Sequence, residues 1–407
     1  MPGLAAGIHV FSPAIKTWMA GTSPAMTRSR RRLAITATLL GAAVIASVAR
    51  SGHEIPVYPS FYPHRIDIRT LAPERAAEAL QAADIQAYVG AGLTFSGTPP
   101  DSIRAIESLG SFVMVRVNPQ SPRTTDEASA CAVVKAVAGE VTGEDFTFHP
   151  YPVTPLHGDY IYHADLAEAA KTRLSDASST LSPGLKVKAS GRVALKHPDW
   201  STRENDWDAE VIEVAAANLV ASKSYAMNGW VGPPWIKDGW FHAELLLAAP
   251  PSDETAKERA ARAALDFRRL TSGNFETLVE RINLERDLVT TLAGSCRKMV
   301  VGYTVKREYF NAEFSAGIEN VGYDSIDGLD SPMFLRTAKL KDFPWNGWLA
   351  LGINASPTAA WNPVGGLTDP FGRLMRFAVT DTALLPAPYD SGWMLNRIAD
   401  LPPAQGR

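Results

Sequence analysis

Histidine and aspartate crowd one short stretch of this chain. Residues 149–165 read HPYPVTPLHGDYIYHAD, which holds three of the eight histidines and two carboxylates. Imidazole nitrogens and carboxylate oxygens are the donors of a zinc, iron or copper site. A carboxylate can also hold a histidine as a general base. His149, His157, Asp159 and His163 are therefore the candidate ligands, and a transition metal the candidate cofactor. His157 and Asp159 can converge only if the chain turns at Gly158. No HExxH pattern is present, and the spacing matches no established metal motif. The simpler expectation is that Asp159 or Asp165 caps a helix while the histidines pack with the tyrosines at a surface.

A second cluster is aromatic. Nine of the ten tryptophans lie beyond residue 50, and residues 228–240 read NGWVGPPWIKDGW. Tryptophans beside glycine and proline can line a ligand cleft, stacking on flat groups or holding cations. Trp230, Trp235 and Trp240, with His242 just beyond, are the candidate ligand-binding residues. The bland alternative is that they fill gaps under irregular loops, with His242 structural at a helix start.

Other chemistry finds less support. There is no GxGxxG, no Walker sequence and no GxSxG, so neither a nucleotide nor a serine-hydrolase elbow is expected. Asp324, Asp327 and Asp330 lack the spacing and the closing glutamate of an EF-hand. A solvated acidic loop is expected there. The two cysteines, Cys131 and Cys296, form no CxxC pair, which excludes haem c attachment and a zinc ribbon. An exported protein allows a disulfide between them. Two separate buried thiols are the expectation, since free cysteine is among the most buried residue types.

Charge is unevenly placed. Residues 1–49 carry Lys16, Arg28, Arg30, Arg31 and Arg32 and no acid, which leaves 35 basic against 43 acidic residues in the rest. An acidic body argues against a nucleic-acid partner, because phosphate binding needs clustered Lys and Arg. After the basic residues 28–32 comes an uncharged, largely apolar run over 33–49. This is the order of a secretory signal, with Ser47 and Ala49 as small residues where a peptidase could cut. Uncut, the run would anchor the body to a membrane with its basic end inside. The segment 29–33 also fits a loose twin-arginine signal. Residues 16–26 resemble the translation of a repetitive upstream element. Met26 is therefore the expected start, with residues 1–25 disordered, 26–51 a signal peptide or anchor, and 52–407 a globular extracytoplasmic body.

The elements that must position these residues alternate. Residues 65–69, 85–89 and 111–117 read as strands. Residues 73–83, 126–138 and a short piece near 102–108 read as helices. Further on, 163–174 and 208–221 are expected helices and 185–195 a strand. Residues 252–270 and 275–292 read as a helical hairpin. Strands are expected at 299–314 and 348–353, and a helix at 371–379. The fold class is mixed α/β or α+β, with a weak sub-boundary near 180–184.

Two functions fit. The first is an exported or membrane-anchored small-molecule-binding or accessory protein with a tryptophan-lined cleft, its partner a small molecule or another exported protein. The second is an exported metal-dependent hydrolase using the 149–165 cluster. The first leads, because the second needs a convergence of side chains that the sequence does not show.

Overall fold

The computed structural model describes residues 63–396, except 91, 144, 176–182, 193–196, 198, 201–205, 222–232, 252, 343–346, 358–366, 368, 381–382 and 391. In chain order the strands and α-helices are β1 (Arg65–Thr70), α1 (Pro73–Gln81), β2 (Ala87–Val89), β3 (Ile103–Val117), α2 (Glu127–Glu140), β4 (Phe146–Phe148), α3 (Ala164–Ser175), β5 (Val187–Ala189) and β6 (Ala209–Ala215). There follow α4 (Ala216–Ala221), α5 (Gly239–Leu247), α6 (Glu254–Ser272), α7 (Leu278–Leu292), β7 (Lys298–Asn311), β8 (Ile318–Glu319) and α8 (Pro332–Thr337). The chain closes with β9 (Lys339–Leu340), β10 (Trp348–Ile353), α9 (Pro370–Val379), β11 (Leu384–Pro386) and β12 (Trp393–Leu395).

One mixed sheet organises the fold, in the order β1-β10-β2-β7-β3-β6-β5 with β4 added on β7. β1, β10 and β2 run parallel, as do β5 and β6. β7 is antiparallel to β2, β3 and β4. The strands after residue 184, β5 and β6, join the same sheet as those before it. The fold is therefore mixed α/β with a large sheet.

Alternation along the strands sorts the core, because successive side chains point to opposite faces. Val113 and Val115 pack with Val134 and Val137 of α2. Phe112 and Met114 pack on the other face with Leu246 and Leu247 of α5. Side-chain caps set several of the helix starts. Asp126 forms a capping box with Ser129 before α2. Asp253 and Thr277 cap α6 and α7, and Gly273 ends α6 in the left-handed conformation.

One expected helix is strand, and another is strand in its first half. Residues 102–108 form the first half of β3, and 208–221 are β6 with only a short helix after it. Both segments are paired, β3 along β7 and β6 between β3 and β5. A short apolar run reads alike in a helix and a strand, and here the long-range pairing decides. The helix α5, by contrast, begins inside a stretch expected to be loop up to residue 240.

The two cysteines are not separate thiols. Cys131 of α2 and Cys296, just before β7, form a disulfide with their Cα atoms 4.9 Å apart. It fastens the covering helix to the sheet. Among the described residues no helix is long and apolar enough to cross a membrane. The expectations for residues 1–25 and 26–51 lie outside the described residues. Because the cross-link spans a sequence separation of 165, reduction or Cys131→Ser should lower unfolding stability by about 2–5 kcal/mol. Urea melts with and without reductant measure this, and superimposable curves would refute it.

Candidate functional site

The predicted histidine cluster is real as a cluster but is built inward. His149, His157 and His163 are all buried, and so is His242, which joins them from α5. The expected packing with tyrosines holds: His149 contacts Tyr160 and Tyr303, and His163 contacts Tyr151. The expected surface location does not.

Hydrogen bonds fix the ring states. The Thr154 backbone N–H donates to His157 Nδ1 at 2.9 Å, so the proton of a neutral ring sits on Nε2. That N–H donates to His242 Nδ1 at 3.0 Å. His242 Nε2 then donates to the Ile236 carbonyl at 3.1 Å. Every ring nitrogen in this relay is used, and only neutral imidazoles satisfy it. Burial holds His157 well below the usual histidine range, with His242 adding to the effect. Burial takes His242 down to about 4. His149 donates from Nε2 to the Val153 carbonyl at 2.8 Å, and burial lowers it too.

The four candidate metal ligands do not share one centre. His149 and His157 turn to the partners just named. Asp159 caps α5 from outside the helix, accepting Gly239 N–H at 2.9 Å and Trp240 N–H at 3.2 Å. These are orphan donors of a helix start, where a carboxylate also meets the positive end of the dipole. His163 binds Tyr151 through Nδ1, and with Asp159 it meets Glu285 of α7, a residue outside the original candidate set. Asp165 leaves this group for a two-pronged pair with Arg286.

The tryptophan segment also turns inward. Trp235 and Trp240 pack with Phe241 and Phe267 among the helices. Trp230 lies outside the described residues. The same segment nonetheless borders a cavity of about 320 Å³, through Pro233, Pro234, Ile236 and Lys237. The 3-10 turn Pro234–Lys237 separates these two destinations.

The middle of β3 and β7, the loop 324–330 and α9 supply much of the rest of the wall, with the start of α4 beside them. At Gly110 the β3–β7 register shifts, and a bulge opens beside the cavity. Lys306 and Glu308 lie beyond it on β7. Glu308 is fully buried and accepts from the Gly90 and Leu329 backbone N–H groups at 2.7 and 2.8 Å, with Lys306 3.3 Å away. Gly328 passes directly over this carboxylate with φ +73°, and a Cβ there would stand 1.9 Å from Glu308 Oε2. Only glycine fits on both counts.

The loop that carries Gly328 is not a solvated acidic loop. Asp324 is 3% exposed. Its Oδ1 accepts from Ile326 and Asp327 N–H at 2.9 and 3.1 Å, and its Oδ2 pairs with Lys237. Asp330 faces Arg373 of α9 at 3.8 Å. Burial pushes the Asp330 carboxyl up to about 8 even beside that guanidinium. Asp327 is raised by burial and then by Asp324. Asp324, Asp327 and Asp330 thus line the cavity with Lys237, Lys306 and Arg373, and Glu308 lies buried behind them beside Lys306. Phe371, Ile326 and Leu109 supply apolar wall. The aspartate spacing was visible in the sequence. Its burial was not, because the balancing cations come from three other elements.

The chain matches no protein-family description, and no curated relative matches it. Among solved structures, it is similar to a periplasmic EDTA-binding protein at 13% identity and a TM-score of 0.38, over 65% of this chain and 56% of that one. It is similar to a periplasmic binding protein from Helicobacter pylori, solved with a peptide, at 15% and 0.36, over 67% and 56%. A peptide complex of a binding protein from Haemophilus influenzae gives 13% and 0.35, over 66% and 56%. The chain spans little more than half the length of each. These partial likenesses assign neither a ligand nor a family.

The depressed histidines have a definite pH signature. Their folded values lie below the unfolded value of about 6.5, so they favour the fold above that pH, and this stability is lost as pH falls through about 4. Imidazole nitrogen NMR should show His157 and His242 neutral, with the proton on Nε2, down to about pH 5. Protonation of either ring above pH 6 would refute the relay.

Proposed function

We propose that this chain is an exported small-molecule-binding protein, and that its ligand sits in the cavity between Lys237, the 324–330 loop and α9. The observation that carries the reading is the wall itself: an apolar side with Phe371 and Ile326, and a charged end where Asp324, Asp327 and Asp330 meet Lys237, Lys306 and Arg373. A closed charge network would need no ligand. Here Lys306 is already paired with the buried Glu308, and two of the lining carboxyls, Asp327 and Asp330, are held above their ordinary range by burial. Such groups gain from a cation that replaces lost hydration. The ligand class is accordingly a small amine with an apolar body.

The tryptophan-lined cleft takes a changed form in this reading. The segment 233–237 borders the ligand, but through its prolines, Ile236 and Lys237, while Trp235 and Trp240 support it from behind. Export is supported by the disulfide, since such bonds persist in oxidising compartments. The hydrolase alternative gains nothing from this cavity, because His149, His157, Asp159 and His163 do not line it.

Calorimetric titration with a series of aryl- and alkylamines, each beside its N-acetylated counterpart, tests the proposal. The amines should bind and the neutral counterparts should not. Asp327→Asn should weaken binding about tenfold or more, the scale of a lost charge-assisted hydrogen bond. Affinity should rise with pH toward about 8 as Asp330 ionises. Equal binding of the neutral compounds, or no binding of any amine, would overturn it.

A further inference from the structure

Asp159, His163 and Glu285 come from two distant parts of the chain: the 149–163 loop, which supplies Asp159 and, at its end before α3, His163, and α7, which supplies Glu285. Each offers one ligand atom, and these atoms all lie within 4.8 Å of one another. The residues are 1%, 0% and 1% exposed. Two of their polar atoms, His163 Nε2 and Glu285 Oε2, have no hydrogen-bond partner. Buried polar atoms left unpaired are costly, and native folds keep few of them. Three meet here, counting Arg281 Nε beside Glu285, and two of the three belong to metal-binding residue types.

The surroundings fit the same role. His163 Nδ1 lies 3.0 Å from the Tyr151 hydroxyl. With the ring proton on Nδ1, donating to the tyrosine oxygen, the Nε2 lone pair faces the two carboxylates. This is the outer-shell bond that sets the tautomer of a ligating histidine. Asp159 keeps lone pairs free after capping α5, since a carboxylate has about four acceptor sites. Glu285 Oε1 lies 3.1 Å from Arg281 Nε, which leaves its Oε2 for a second cation. Arg281 offsets only one of the two carboxylates, and burial raises both, Glu285 to about 8 and Asp159 to about 6.

We infer that Asp159, His163 and Glu285 hold a divalent transition metal, with zinc the best match, as a structural centre. One imidazole nitrogen with carboxylate oxygens is a donor set that zinc accepts. The centre is enclosed and separate from the ligand cavity, and none of the three residues lines it. Its role is mechanical. Through Asp159 it holds the start of α5, and through Glu285 it holds α7 against the 149–163 loop. The inference is independent of what the cavity binds.

The test uses untagged, disulfide-intact protein of the full body, stripped with chelator and titrated with zinc alone at pH 7.5. One zinc per chain and a raised melting temperature are expected. Glu285→Gln should lose more affinity than the about 10–100-fold that removal of an outer-shell partner costs. Tyr151→Phe, the milder change, should fall within that range. Cobalt(II) in place of zinc should give visible absorption bands that Glu285→Gln abolishes. Circular dichroism checks that both variants fold. No uptake of zinc would mean that a shared proton or a water fills the site, and would overturn the inference. So would unchanged affinity in both variants.

Discussion

The antiparallel pairing of β3 with β7 is the constraint on which the other features depend. These are the two longest strands among the described residues, 15 and 14 residues, and they register from Ile103 opposite Asn311 to Arg116 opposite Lys298. Their separation in sequence is large, so closing the pair brings distant segments together. Alternation along them defines two faces, one for α2 and one for α5. The interruption at Gly110 gives the sheet an opening, and Lys306 and Glu308 follow on the same strand. The core and the cavity are thus parts of one pairing pattern. The disulfide from α2 ends two residues before β7 and fixes the helix to that same strand.

Burial of charge is the second theme. Low-dielectric surroundings penalise ions, so each buried group must be neutral, paired or coordinated. The chain uses neutralisation and pairing, and the proposed metal would add coordination. His157 and His242 are neutral and linked by a hydrogen bond. Lys237 with Asp324, and Lys306 with Glu308, are paired. Asp159, His163 and Glu285 carry two carboxylates against the single charge of Arg281, and in the cavity burial raises Asp327 and Asp330. The two places where pairing falls short are the two places where a ligand is proposed. In neither does a single segment carry the whole set of groups.

Much of the local structure was legible. Helices were expected over 126–138, 252–270 and 275–292, and α2, α6 and α7 lie there, with Asp126, Asp253 and Thr277 acting on their own backbone neighbours and Gly273 ending α6. The apolar alternation of β1 and β7 was equally local. Residues 102–108 and 208–221 were misread because β-pairing overrode weak local preference. The histidine segment was recognised as unusual, and its tyrosine contacts were expected. Its inward direction was not, for His242 lies 85 residues from His157 and Glu285 farther still from Asp159. The same holds for the tryptophans. Their segment was singled out, but which side chains faced a cavity depended on a 3-10 turn packed against α6 and α7.

By itself the sequence determined the class of the fold, most element positions, the acidic character of the body and the stretch richest in chemistry. These follow from residue type and from spacing within a few turns of chain, where backbone geometry is shared by all proteins. Only the tertiary structure decided that Cys131 meets Cys296, that Asp324 and Asp330 are buried, and that Asp159 and His163 face Glu285 rather than His149 and His157. Each of these is a contact between segments far apart in the chain. Residue type says what a side chain can do, but the partner that it meets is set by sheet pairing and helix packing.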